Sequence, residues 1–175
     1  MSIITLKREW YVLHTKSRFE TVVFDALKKK SKEVFLPKIW VRSKRKDRKA
    51  MLHAPLFPGY VFVKTDLDPR DHLDILKTTG AVRLIGNNNG PIPAEEQAVA
   101  SLKIMVSTDE KIKTGSQFIK GDKVMVLSGP FAGVIGIFVR QRGQGSIIVN
   151  IDILGQNASA VVDEDNVKKI PEIMT

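Results

Sequence analysis

Three histidines, His14, His53 and His72, are the side chains here best suited to moving protons or ligating metal. They stand far apart in sequence at no metal-ligand spacing, and without a cysteine the chain has neither thiolate ligands nor disulfides. There is no G-x-x-x-x-G-K-[ST] phosphate loop and no nucleophile elbow. Gly143 and Gly145 of RGQGS precede a strand pattern, where a dinucleotide fingerprint requires a helix. The chain is therefore expected to be no enzyme and to hold no metal or cofactor. Its residue types favour recognition instead. Arg42–Lys49 (RSKRKDRK) gathers six basic side chains against one acid, which suits phosphate. Close behind it, Leu56, Phe57 and Pro58 introduce an aromatic run, Gly59–Val63 (GYVFV).

The charge is unevenly placed. Of the net +9, all lies in residues 1–107, with 20 Lys/Arg against 11 Asp/Glu; residues 108–117 hold 2 against 2 and residues 118–175 hold 6 against 6. A clustered basic segment meets phosphate well, because neutralising phosphates releases condensed counterions. The plainer alternative is a solvated surface that keeps the protein soluble. At 175 residues and 43% hydrophobic content the chain can build one large domain or two small ones. No apolar run is long enough to cross a bilayer, and the N-terminus has no leader-like core, so a cytoplasmic protein is expected; it is also expected to be a monomer.

Positioning these residues takes a series of short elements. Glu9–Thr15 (EWYVLHT) reads as a strand. A helix follows, with Ser17 and Glu20 in the relation of a capping box and Phe19, Val22, Val23, Ala26 and Leu27 as its apolar stripe, ending at Lys28–Lys30. Glu33–Val41 is extended, and the basic run is an exposed hairpin tip or loop. Gly59–Thr65 is a strand whose alternation puts Tyr60, Phe62 and Lys64 on one face and Val61 and Val63 on the other. Asp68 caps a helix with Pro69 at its first position, offering Leu73, Ile75 and Leu76 to the core before Gly80. A short strand at Ala81–Ile85, a turn at 86–91 (GNNNGP) and a third helix from about Ala94 to Val106 complete this part. Beyond a polar linker, five segments separated by glycine-rich turns, from Lys123–Leu127 to Asn166–Ile170, indicate a small β-barrel.

The pair Trp10–Tyr11, PLFPGYVFV at 55–63, and GDKVMVLSGPFAG at 121–133 with the further Gly136 together resemble the NusG family of bacterial transcription elongation factors. The resemblance runs from Trp10 to Ile170. It implies an α+β chain: a NusG N-terminal domain at 1–107, an antiparallel-sheet α/β sandwich that binds RNA polymerase; a linker at 108–117; and a KOW domain at 118–175, an SH3-like β-barrel. In the family the aromatic sheet face docks on the clamp coiled coil of the polymerase β′ subunit. Carried over, the contacts are Phe57, Pro58, Tyr60 and Phe62, with neighbouring His14 and parts of the third helix. Arg42, Lys44, Arg45 and Lys46 would then face nucleic acid of the transcription bubble. The implied function is processive elongation and antitermination, achieved by binding one polymerase conformation. A KOW-containing RNA-binding or ribosome-associated module is the other reading.

HTKSRFE, the motif P-L-F-P and Lys77–Gly80 (KTTG) look more like the RfaH and UpxY-like branches of that family. There the start of the first helix and the loop before the fourth strand face the non-template DNA strand. The matching positions are Lys16, Arg18, Thr78 and Thr79. First-turn solvation is the ordinary alternative, although cations at a helix N-terminus oppose its dipole. In the KOW part, Leu154 occupies the place of an aromatic residue that helps engage Rho or a small-subunit ribosomal protein. Phe131 of GPFAG is a second candidate there, or a core residue. The β-branched runs SIIVNI and ASAVV, with the intervening glycines, favour strands over the helical hairpin that some specialised members form.

Overall fold

Two alternating strands decide the architecture of the first half of the chain. The computed structural model describes residues 7–47, 49–118 and 120–171, so that Arg48 of the basic run lies outside the described residues. Two compact units divide between Ala94 and Glu95. The first comprises β1 (Glu9–Thr15), α1 (Glu20–Lys29), β2 (Glu33–Phe35), β3 (Lys38–Arg42), β4 (Met51–Pro55), β5 (Tyr60–Thr65), α2 (Pro69–Leu76) and β6 (Ala81–Leu84), then the two-residue strands β7 (Gly86–Asn87) and β8 (Gly90–Pro91). Its main sheet runs β2-β5-β1-β6, each neighbour antiparallel.

The pairing of Leu13 with Val61 and Tyr11 with Val63 turns these residues to one side. There they form a core with Val23 and Leu27 of α1, Ile75 of α2 and Leu84. The expected division of Val61 and Val63 from Tyr60 and Phe62 is thus realised. Two helical expectations need correction. Phe19, not Ser17, is the N-cap of α1, and no side chain caps it. In α2, Ile75 is buried but Leu73 and Leu76 are 53% and 36% exposed, since they project about 200° and about 100° round the helix from it. Asp68 caps α2 as expected, accepting from the Arg70 amide at 3.0 Å.

An ionic network joins the two helices. Lys32 pairs with Asp71 and, at 3.1 Å, with Asp74, while Lys30 Nζ lies 3.0 Å from Asp74. Burial raises the Asp71 carboxyl, but hydrogen bonds from Lys32 and Thr65 outweigh it and hold the group below its ordinary value. Lys32 is held above its own ordinary value, burial being outweighed by hydrogen bonds to Asp71 and Asp74.

β3 and β4 pair with each other as a separate two-stranded ribbon. The basic run is its tip, closed by the Ser43 amide donating to the Ala50 carbonyl at 2.9 Å. The return strand β4 escaped sequence reading because MLHAP contains no β-branched residue and ends in proline.

The second unit contains α3 (Glu96–Val106), β9 (Lys113–Ser116), β10 (Asp122–Val126), β11 (Ile135–Gln141), β12 (Gln144–Ile151), β13 (Gln156–Val161) and β14 (Val167–Lys169). Its sheet runs β14-β10-β11-β12-β13-β9. Val124, Val134, Ile147, Val149, Ile151 and Ala158 are buried in it. Gly136 is obligatory at the crossing of β11 and β12, where a Cβ would stand 2.3 Å from the Ile148 carbonyl oxygen. Two features go beyond the sequence reading. The third helix packs on β11 and β12, with Ser101 Oγ donating to the Ile135 carbonyl and accepting from its amide, at 3.2 and 3.0 Å. Within the segment expected as linker, Lys113–Ser116 forms β9, an edge strand that pairs through its backbone and so needs no apolar pattern.

A candidate interaction surface

On the face of the main sheet opposite α1 and α2, register brings the aromatic candidates together. His14 lies across from Tyr60, with ring centroids 5.4 Å apart, and Val12 across from Phe62. Phe35 on β2 stands beside Phe62 at 5.8 Å, and Lys64 lies over the Trp10 ring at 5.9 Å. Exposure separates the five residues expected to contact polymerase. Phe57 and Phe62 retain 1% and 0% of their surface, His14 and Tyr60 are half-buried, and Pro58 is exposed. Whatever meets this face in the described state therefore meets Pro58, Tyr60 and His14.

Three loops converge where β1 ends. The register of β1 against β6 slips between His14 and Thr15. There the Thr15 amide donates to the Gly59 carbonyl and the Lys16 amide to the Gly80 carbonyl, both at 2.8 Å. Gly80, at φ +92°, would place a Cβ 2.6 Å from the Phe19 ring, so glycine alone fits. Glu20 completes the junction: its buried carboxylate accepts from the Gly59 amide at 2.8 Å. The glutamate expected to cap α1 thus holds the F-P-G-Y turn.

This junction puts the expected DNA-facing residues beside the aromatic ones. Lys16, Arg18 and Thr79 are exposed around it, with Arg18 at φ +65°. Thr78 is instead buried; its hydroxyl donates to the Asp74 carbonyl and accepts from Lys30 Nζ, both at 3.2 Å. Of the two threonines, only Thr79 is therefore open to a ligand. Sequence reasoning missed Arg83, exposed and directly across from His14. The one cation of AVRL, set beside the buried Leu84, was the available signal.

Arg42, Lys44, Arg45 and Lys46 are all exposed on the ribbon, away from this junction in sequence and outside the main sheet. In the second unit, Phe131 is buried beside Pro130 in the wall of a cavity of about 180 Å³. Leu154 is half-buried in a 3-10 turn, Asp152–Leu154, closed by Gly155 at φ +61°. Among the described residues, no group of three or more His, Asp or Glu is placed to hold a metal ion, and no helix is long and apolar enough to cross a membrane.

Known proteins resemble this chain along its length. NusG from Thermus thermophilus, named a transcription termination/antitermination protein, is 27% identical over 180 residues, covering 92% of this chain and 98% of its own. The Pasteurella multocida protein of the same name is 26% identical, covering 97% and 99%. Among solved structures, NusG of Thermotoga maritima superposes with a TM-score of 0.54 at 23% identity, covering 95% of this chain and 99% of that one, which supports a NusG-like fold. The family model described as transcription termination factor nusG matches residues 8–103, more than half of the sequence, and the chain belongs to the NusG family.

Proposed function

We propose that this protein is a transcription termination/antitermination factor that docks on the β′ clamp coiled coil of RNA polymerase and promotes processive elongation. NusG-family proteins are transcription factors and not enzymes. The observation that carries the finer reading is the junction at the end of β1, where an aromatic patch and a cationic one share one set of hydrogen bonds. Pro58, Tyr60 and His14 supply the apolar contact, as aromatic anchors do in protein interfaces. Lys16, Arg18, Thr79 and Arg83 stand close enough to meet the phosphates of an exposed non-template strand. Phe57 and Phe62 join that contact only when uncovered. The six-stranded second unit, read as an SH3-like KOW barrel, offers Leu154 to a further partner, either Rho or a small-subunit ribosomal protein. The P-L-F-P and KTTG motifs favour a specialised paralogue.

Binding of the full-length chain to core polymerase tests this. Tyr60→Ala should raise Kd at least tenfold while the urea midpoint stays near that of the parent, because Tyr60 is only half-buried. Unchanged polymerase affinity together with co-sedimentation on ribosomes would replace this reading by the ribosome-associated one.

A further inference from the structure

The β3–β4 ribbon carries an aromatic feature that polymerase docking does not use. Lys38 pairs with Pro55, Trp40 with His53 and Arg42 with Met51, so these six side chains share one face. On it the Trp40 indole stacks on the His53 imidazole, with centroids 4.6 Å apart and planes 19° from parallel. Trp40 is nevertheless 58% exposed and Met51 54%. On the opposite face Leu52 is 51% exposed but Ile39, Val41 and Ala54 are half-buried, so it is the better covered of the two. Exposing a large ring on the outward face is unfavourable unless a partner covers it.

The surrounding charge identifies that partner. Lys38 and Arg42 lie two residues to either side of Trp40, which sets a cation about 7 Å away in each direction along the strand. Beyond Arg42 the tip adds the exposed Lys44, Arg45 and Lys46, with Asp47 the single acid of the run. An aromatic platform between cations matches the alternation of base and phosphate in a single strand, whereas a duplex hides its base faces.

We propose that the Trp40–His53 stack is a platform for an unpaired base of single-stranded DNA, whose flanking phosphates are held by Lys38, Arg42 and the tip. This rests on the reading that the ribbon faces nucleic acid, and the occupant is the strand exposed in open DNA. Titration of the full-length protein with oligodeoxythymidylate tests it. The chain has two tryptophans, and Trp10 is buried, so stacking should quench the Trp40 emission saturably. In Trp40→Phe the remaining Trp10 signal should not respond, while affinity for a labelled oligonucleotide is largely kept. Trp40→Ala should raise Kd about 5- to 150-fold with the salt dependence unchanged. Equal affinity of Trp40→Ala, the same quenching by duplex DNA, or quenching only by RNA would overturn the assignment. Because Tyr60→Ala is expected to lose polymerase and keep the quenching, failure of the platform and failure of polymerase docking are separable.

Discussion

Glu20 shows how one side chain sets the position of a distant turn. Its carboxylate has left the helix terminus to accept from Gly59, 39 residues further along the chain. Removing the acceptor leaves that amide without its partner. Glu20→Ala should therefore lower the unfolding free energy of the first unit by about 1–3 kcal/mol, and Glu20→Gln by distinctly less, since the amide oxygen still accepts. Urea titration followed by the fluorescence of Trp10 and Trp40, both in the first unit, measures both; equal losses in the two variants would mean that the bond to Gly59 contributes nothing. The S-x-x-E pattern was legible in the sequence, but a tertiary donor outcompeted the local one, and no local signal could announce that. Thr78 and Thr79 teach the same lesson. Adjacent residues of one type are indistinguishable until Lys30 and Asp74 claim one of them.

Among the elements, those with a two-sided pattern were legible. β1 and β5 alternate so regularly that the core face and the aromatic face followed from sequence. β4 and β9 were not, because a strand held by backbone pairing needs no apolar rhythm. The α1–α2 link is likewise invisible in sequence, yet it makes a pH-dependent contribution. The lowered Asp71 carboxyl stabilises the fold above the ordinary carboxylate range, near pH 4, and loses that contribution as pH falls through its folded value. The raised Lys32 contributes below its ordinary value, near 10.4, and loses it as pH rises through the folded one. Stability from this link should be flat around neutrality. Asp71→Asn should cost about 1 kcal/mol at pH 7 and markedly less at pH 3, measured by urea midpoints at the two pH values. A cost that does not change with pH would remove the ionic explanation.

For the molecule as a whole, the structural division sharpens the charge asymmetry that composition suggested. Residues 1–94 hold 19 Lys/Arg and 9 Asp/Glu, a net of +10, while residues 95–175 hold 9 and 10, a net of −1. The contact division falls before α3 and the family match ends within it, at residue 103, because the apolar face of that helix packs on β11 and β12. The salt dependence of DNA binding should then reside in the first unit. Arg45→Glu with Lys46→Glu should flatten the slope of log K against log salt by about 1.4, at roughly 0.7 per lost phosphate contact on a single strand. Lys123→Glu with Lys168→Glu in the second unit should leave it unaltered. Fluorescence anisotropy across a salt series reads both, and equal slopes for the two double variants would refute the asymmetry.

The self-contained ribbon also has a consequence for descent. Since β3 and β4 are joined to each other and not to the main sheet, homologous chains can lengthen or shorten them without disturbing the junction beneath. Parity decides which changes survive. Two residues gained on each strand carry the tip outward by about 7 Å and leave Trp40 and His53 facing as before, whereas a single-residue slip in one strand turns that strand's side chains over and parts the rings. Length variation in this segment among relatives should accordingly come in even steps.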